Sequence, residues 1–318
     1  MLYDSIIIGG GPAGMTAGIY LSRKKLNSLL ITKDFIGQIG DSSLVENYPG
    51  FKSVSGIDLT KQIREHLYEN PNTKITSEEV VQKIEKEEIS GQNIFTLFTD
   101  ANRYKAKTVI VATGATYRKL GVLGEKEFYG KGVAHCSICD APLLQDKFAA
   151  VIGGGNSGIL AVIDLLPYAK KISLLEYGPE LKADPVLIDK IKKEKNVFIF
   201  PNSELKEIKG NTRVNAIVFF NHKEKKEFVL PVHGVFIKAG VQPNTSFLNK
   251  SQSDLKGLLN KKNEIMINSY DCSTKIPGFF AAGDVTDIRY KQIAIATGEG
   301  VKAALSAFEY LKLKVQNS

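Results

Sequence analysis

Two stretches of the chain share one pattern of apolar and polar positions. Ser5-Ile6-Ile7-Ile8 runs into Gly9-Gly10-Gly11-Pro12-Ala13-Gly14, and Ala149-Ala150-Val151-Ile152 runs into Gly153-Gly154-Gly155-Asn156-Ser157-Gly158. In each, a short apolar run gives way to G-x-G-x-x-G and then to a helical periodicity. The pattern predicts helices over Pro12–Lys24 and Ser157–Leu166, followed by strands at Ser28–Thr32 and Ile172–Leu175. A second echo is Thr108–Gly114 and Gly234–Gly240, two apolar strands ending in glycine, each after shorter strands of alternating polarity. The segment Gly278–Asp284 has no counterpart in the first half; it reads as a strand ending in Gly-Asp, with a helix from about Lys291 to Leu311 after it. Two copies of one plan, a βαβ unit, a meander and a closing strand, make an α/β chain with two Rossmann-like domains.

The glycines have a mechanical reason. The first permits a tight turn, the second lets the backbone approach a pyrophosphate, and the third lets helix and strand pack closely. The helix N-terminus then offers unpaired N–H groups to phosphate oxygens. A lone loop of this kind also serves as a plain tight turn. Two in one chain, each in βαβ context, point to two nucleotide ligands.

The residue about 20 positions beyond such a loop reads the ribose. In the second copy it is Glu176, at the end of the strand Ile172–Leu175. A carboxylate there accepts from a 2′-OH and repels a 2′-phosphate. No arginine occurs between Gly153 and Asn211. For a nicotinamide cofactor on this loop, these residues favour NADH over NADPH. The corresponding first-copy segment, Thr32-Lys33-Asp34, is ambiguous.

Composition narrows the classes. A chain of 318 residues with 43% hydrophobic and 24% charged residues forms about two ordinary globular domains, which excludes disorder as its main state. The longest apolar stretch, Gly158–Leu166, is broken by Asp164 and Pro167, short of the ~18 clean residues of a membrane span. The N-terminus has no basic region and no cleavage site, so the expected location is the cytoplasm. The net charge of +8 favours acidic partners, but the lysines are scattered and read as a solvated surface. No basic run is interleaved with aromatic residues, and nucleic acid is not an expected partner.

Three cysteines, Cys136, Cys139 and Cys272, are too few for a disulfide scaffold. Cys136-Ser137-Ile138-Cys139-Asp140 has the spacing of a small reversible disulfide. If the pair opens a helix, the first thiol becomes a better nucleophile. Asp140 stands next to it and is placed to exchange the thiol proton. Half of a metal site is the other reading of the pair. It lacks partners, because Cys272 and the histidines at 66, 135, 222 and 233 supply no second CxxC or HxxxH, and no metal is expected. Inert buried cysteines are the plainest alternative, and the one that suits Cys272.

These motifs together resemble the low-molecular-weight thioredoxin reductases, within the pyridine nucleotide-disulfide oxidoreductases, and equally the C-terminal reductase part of the alkyl hydroperoxide reductase flavoprotein. The likeness runs nearly end to end. It includes Gly9–Gly14, Val45-Glu46-Asn47-Tyr48-Pro49-Gly50, Val111-Ala112-Thr113-Gly114, Cys136–Asp140, Gly153–Gly158, Ala281-Ala282-Gly283-Asp284 and Tyr290-Lys291-Gln292-Ile293. Leu174-Leu175-Glu176-Tyr177 and Lys182-Ala183-Asp184 are closest to the peroxide-reductase flavoprotein. Because the chain begins at the first glycine loop, a separate thioredoxin-like protein is expected to do the work of that flavoprotein's N-terminal domains.

The resemblance implies FAD in a discontinuous domain, roughly 1–115 plus 245–318, with an NAD(P)H-type domain at about 116–244 carrying the cysteine pair. The FAD pyrophosphate would sit on Gly9, Gly11, Pro12, Ala13 and Gly14. Gln38, Asn47, Asp284 and Gln292 match positions that contact the cofactor, and Ala112, Thr113, Gly114, Gly283, Lys291 and Ile293 lie in the same matching motifs. Gly153, Gly155, Asn156, Ser157, Gly158 and Glu176 are the corresponding second set. By the same resemblance Cys139 faces the flavin and Cys136 exchanges with the partner, the domains rotate between two arrangements, and the protein is a homodimer. The activity implied is reduction of thioredoxin or a thioredoxin-like protein.

Two departures bear on the electron donor. The His-Arg-Arg…Arg cluster of NADPH-using relatives is replaced by Glu176-Tyr177-Gly178-Pro179, and a glutamate usual two residues after the glycine loop is replaced by Leu160. The donor stays open among NADPH, which these departures disfavour, NADH, as in the reductase component of a peroxiredoxin system, and ferredoxin, whose acidity suits a basic chain. Ferredoxin/flavodoxin-type NADP reductases share the fold without the CxxC. A redox sensor would keep the glycines without turnover.

Overall fold

The computed structural model describes residues 1–40 and 45–316. Of these, residues 1–40, 48–116 and 242–316 form one compact unit, and residues 45–47 and 117–241 form another.

The first unit is built on a seven-stranded sheet among the described residues. Leu2–Ile8 lies at its centre, parallel to Ser28–Thr32 on one side and to Arg103–Val111 on the other. Thr73–Ser77 extends the first side in parallel. Phe279–Ala281 also runs parallel to Arg103–Val111, pairing with its last residues. The meander Val81–Ile89, Gln92–Thr99, Arg103–Val111 is antiparallel. Arg103–Val111 serves both halves. Its early residues pair with the meander, and its last four, Thr108 to Val111, are fully buried beside the central strand. Ile6, Ile7, Leu29, Leu30, Val109 and Ile110 are buried in the same way, as expected of parallel strands covered on both faces.

The second unit repeats the plan. Val197–Phe200, Lys171–Leu175, Phe148–Ile152 and Gly234–Ile237 are neighbours in that order, all parallel, with Val133–Ala134 beyond. A three-stranded antiparallel meander, Ser203–Gly210, Val214–Asn221, Lys226–Pro231, precedes the closing strand. In each unit the spatial order is third, second, first and closing strand, so the repeat visible in the sequence is a repeat of topology.

The glycine loops agree in detail. Gly9 and Gly153 have φ of +113° and +115°, a backbone region where side chains are rare. Helices follow at Pro12–Arg23 and Asn156–Leu165. The long last helix, Ile293–Gln316, packs on Pro12–Arg23 through Gly300, where a Cβ would lie 2.2 Å from the Ala13 carbonyl oxygen. No helix among the described residues is long and apolar enough to cross a membrane.

Candidate active site: a dithiol and two glycine loops

In the first unit the loop Gly9–Gly14 is shaped by contact. A Cβ on Gly9 would lie 2.3 Å from the Ala112 carbonyl oxygen, and one on Gly14 would lie 1.9 Å from the Gly9 carbonyl oxygen. Gly11, the cap of the helix, is different: a Cβ there would meet nothing within 4 Å. The open side of the turn therefore faces space at a helix N-terminus begun by Pro12, where N–H groups are left for a ligand. That cradle fits a dinucleotide pyrophosphate.

Around it the other expected cofactor residues take defined places. Gln38 Nε2 donates to the Ala115 carbonyl. Thr113 Oγ1 donates to the Asn244 carbonyl and the Asn244 amide returns a bond to the Thr113 carbonyl, each at 2.9 Å, while Gly114 turns the chain with φ +65°. Gly283, at φ +79°, approaches Ala13. Burial raises the Asp284 carboxyl above the usual carboxylate range, and Lys291 opposes the shift. Lys291 also donates to the Thr286 carbonyl and pairs with Glu264 at 3.6 Å. The Gln292 carbonyl accepts from Ala296 N at 2.9 Å as the helix beginning at Ile293 starts.

Glu299 is a member of this region that sequence reasoning missed. Its Oε2 accepts from Gly283 N at 2.7 Å, while Oε1 is buried with no partner among the described residues. Burial raises this carboxyl, and the Gly283 N–H, Lys302 and Lys291 pull it down. An acidic residue between two glycines of an apolar helix, Gly298-Glu299-Gly300, was the available signal.

The second unit holds the cysteines. Cys136 and Cys139 form a disulfide with Cα atoms 5.3 Å apart. Cys136 caps the short helix Ser137–Asp140, its sulfur accepting from Cys139 N at 3.2 Å. Asn47, expected at the cofactor, has its Nδ2 3.9 Å from Cys139 Sγ. Asp140 is largely buried, which pushes its carboxyl up to about 6, against the pull of Lys238. Cys272 is buried and its thiol is pushed up to about 12, which makes it an inert core residue.

Beside the disulfide lie three groups that the sequence did not bring forward. His135 is buried, with Nδ1 3.0 Å from the Ile237 carbonyl and its ring stacked on Tyr117 at 4.3 Å. Ser137 Oγ donates to Asp164 Oδ2 at 2.7 Å. Lys238, next after the closing strand, donates from Nζ to the His135 carbonyl.

The second glycine loop, Gly153–Gly158, copies the first. A Cβ on Gly158 would lie 1.8 Å from the Gly153 carbonyl oxygen, and Gly155 again faces open space. Asn156 holds the loop to Asp184, with the Asp184 N–H reaching Asn156 Oδ1 at 2.7 Å and Asn156 Nδ2 returning to Asp184 Oδ2 at 3.1 Å. Ser157 lies in the first turn of the helix. Glu176 is buried, with Oε2 accepting from Gly154 N at 2.7 Å and Oε1 from Gly178 N at 2.8 Å. A carboxylate has about four acceptor sites, so both oxygens retain capacity for a hydroxyl. Among the described residues no group of three or more His, Cys, Asp or Glu is arranged to hold a metal ion.

A family model for pyridine nucleotide-disulphide oxidoreductases matches residues 3–300. The chain belongs to that family. The paired cysteines agree with that membership. Thioredoxin reductase from Streptococcus pyogenes MGAS5005 has a crystal structure that superimposes with a TM-score of 0.89 at 35% identity, covering 98% of this chain and 99% of that one. Among curated proteins, "NADH dehydrogenase" of Bacillus subtilis (strain 168) is 39% identical over 97% of this chain and 58% of its own length. The F component of alkyl hydroperoxide reductase from Staphylococcus epidermidis (strain ATCC 35984) is 40% identical over 97% of this chain and 59% of its own length. The chain thus spans under three fifths of these curated relatives.

Proposed function

We propose that the protein is an FAD-dependent reductase of thioredoxin or a thioredoxin-like protein. The observation that carries this reading is the Cys136–Cys139 disulfide with a largely buried carboxylic acid, Asp140, next to it. The first glycine loop and Gln38, Asn47, Ala112–Gly114, Gly283, Asp284 and Lys291–Ile293 would hold FAD, in a domain of about 1–115 and 245–318. The domain of about 116–244 carries the dithiol. FAD held in the first of these domains, once reduced by the electron donor, would supply the two electrons that open the disulfide. Two electrons and two protons convert Cys136–Cys139 to two thiols. Cys136 then attacks a disulfide of the partner, Asp140 protonates the departing partner sulfur, and Cys139 displaces the reduced partner as the protein disulfide re-forms.

A second reading concerns the donor and the partner together. Glu176 and the absence of arginine on the second loop favour NADH, and with it the role of reductase in a peroxiredoxin system, in keeping with the alkyl hydroperoxide reductase relative. Ferredoxin is the other donor that a basic chain would attract. A cytoplasmic homodimer completes the proposal. The test is anaerobic stopped-flow reduction of the bound flavin by NADH, NADPH and reduced ferredoxin offered separately, followed by oxidised thioredoxin. Fast bleaching by NADH and transfer to thioredoxin supports the reading. A bleached flavin that passes no electrons to any thioredoxin-like disulfide overturns it.

A further inference from the structure

The two units differ at one equivalent position. The residue that follows the closing strand and lies under the glycine loop is Ala112 in the first unit and Lys238 in the second. Both approach the loop closely: a Cβ on Gly14 would lie 3.5 Å from Ala112 Cβ, and a Cβ on Gly158 would lie 3.8 Å from Lys238 Cβ. The lysine stem passes the loop, and its ammonium bonds the carbonyl of His135, the residue before Cys136. There it interacts electrostatically with Asp140, on the helix Ser137–Asp140, and with Asp164, on Asn156–Leu165. The ionisable side chains next to its anchor point in the chain are His135, whose ring is engaged by the Ile237 carbonyl and by Tyr117 and Tyr129, and the cysteine pair itself, which is held as a disulfide. Asp164 is in turn bonded by Ser137, inside the CxxC motif. One cation, Lys238, and one carboxylate, Asp164, are thus hydrogen-bonded to the residues on either side of Cys136, and Asp140 interacts electrostatically with the same cation.

We propose that Lys238 is a positioning residue of the dithiol centre: its ammonium, shared by Asp140 and Asp164, sets the protonation of Asp140 during thiol exchange. The inference rests on the disulfide-reductase reading and assigns the electrostatic control of its acid. No electrons pass through Lys238. One S–S bond breaks in the partner and one forms between Cys136 and Cys139; two protons leave the protein thiols and end on the partner's two sulfurs, Asp140 handing one to the sulfur that departs first and solvent carrying the other. A nearby cation favours the ionised form of Asp140, so removing that cation extends the acid's working range upward in pH. Burial brings Lys238 itself down to about 8, so its charge on Asp140 fades across the same range. The limb observed belongs to the coupled pair.

The test compares FAD-loaded wild type with Lys238→Met, Lys238→Gln and Lys238→Arg from about pH 5 to about pH 9. Two exchange reactions are followed: the prereduced protein with oxidised thioredoxin, and opening of the resting disulfide by dithiothreitol, read by alkylation of Cys136. The second needs no protein partner, so failure of the thioredoxin reading alone leaves this comparison intact. For Met and Gln, the rate relative to wild type should climb about threefold between the acid side and about neutral pH, the effect of half a unit in an acid's pKa, and fall back above about pH 8, where Lys238 of the wild type loses its own charge. Arg should follow wild type. Two neutral variants that differ from wild type by a constant factor at every pH would overturn the proposal. So would variants whose only change is weaker dinucleotide binding, since Lys238 would then serve the loop alone.

Discussion

Glu176 holds the second glycine loop in place by accepting the N–H of Gly154 at 2.7 Å. Its other oxygen takes the N–H of Gly178 at 2.8 Å, so one carboxylate joins the loop to the turn after the next strand. The residue read in the sequence as a ribose ligand is therefore also a structural clasp. Glu176→Ala should cost about 1–3 kcal/mol, the penalty of leaving a buried donor unpaired, in chemical denaturation without any nucleotide. Glu176→Gln, which keeps an acceptor, should fold better than Ala while still losing NADH-driven flavin reduction. Equal loss of stability in both variants would contradict the clasp.

The glycines separate fold from ligand. Gly14→Ala would drive a methyl to 1.9 Å from the Gly9 carbonyl oxygen, so it should lower stability by about 3 kcal/mol or more, as severe overpacking does. Gly11→Ala meets no protein atom within 4 Å and keeps an ordinary φ of −75°. It should leave the apoprotein's melting temperature nearly unchanged and lower the FAD content per chain. Full FAD occupancy in Gly11→Ala would contradict a pyrophosphate in that cradle.

Asp140 should make stability pH-dependent with a definite sign. Its carboxyl is raised from an ordinary 3.8 to about 6, so the folded state binds the proton more tightly than the unfolded chain. Stability contributed by this group is then full below the unfolded value and lost as pH rises through about 6. Asp140→Asn should be as stable as wild type at low pH and more stable above neutrality, by up to about 2 kcal/mol after allowance for solvent screening. Urea denaturation at both pH values checks this. A variant less stable than wild type at high pH would show the carboxylate to be favourably held.

Much of the framework was legible. Ser28–Thr32 is a strand with the bounds its apolar run predicts, and the two helices after the glycine loops begin or end within a residue of expectation. Local rules carry these elements: glycine punctuation, β-branched runs and helical periodicity. Boundaries set by tertiary geometry were less legible. The strand expected over Thr108–Gly114 stops at Val111, because the chain turns toward Gly114 at φ +65°. The last helix begins at Ile293 rather than Lys291 and continues to Gln316. Glu299, Asp164 and Lys238 were not legible as site residues. Each is a charged residue inside an apolar segment, and only folding brings it to Gly283, to Ser137 or to His135.

The most direct test of the central claim is a single-turnover experiment on Cys139→Ser loaded with FAD. The flavin should bind at one per chain and be reduced by its donor as in wild type. Oxidised thioredoxin should then gain no electrons, because no disulfide is left to accept them from the flavin. Thioredoxin reduced at near wild-type rate by Cys139→Ser would contradict the dithiol route.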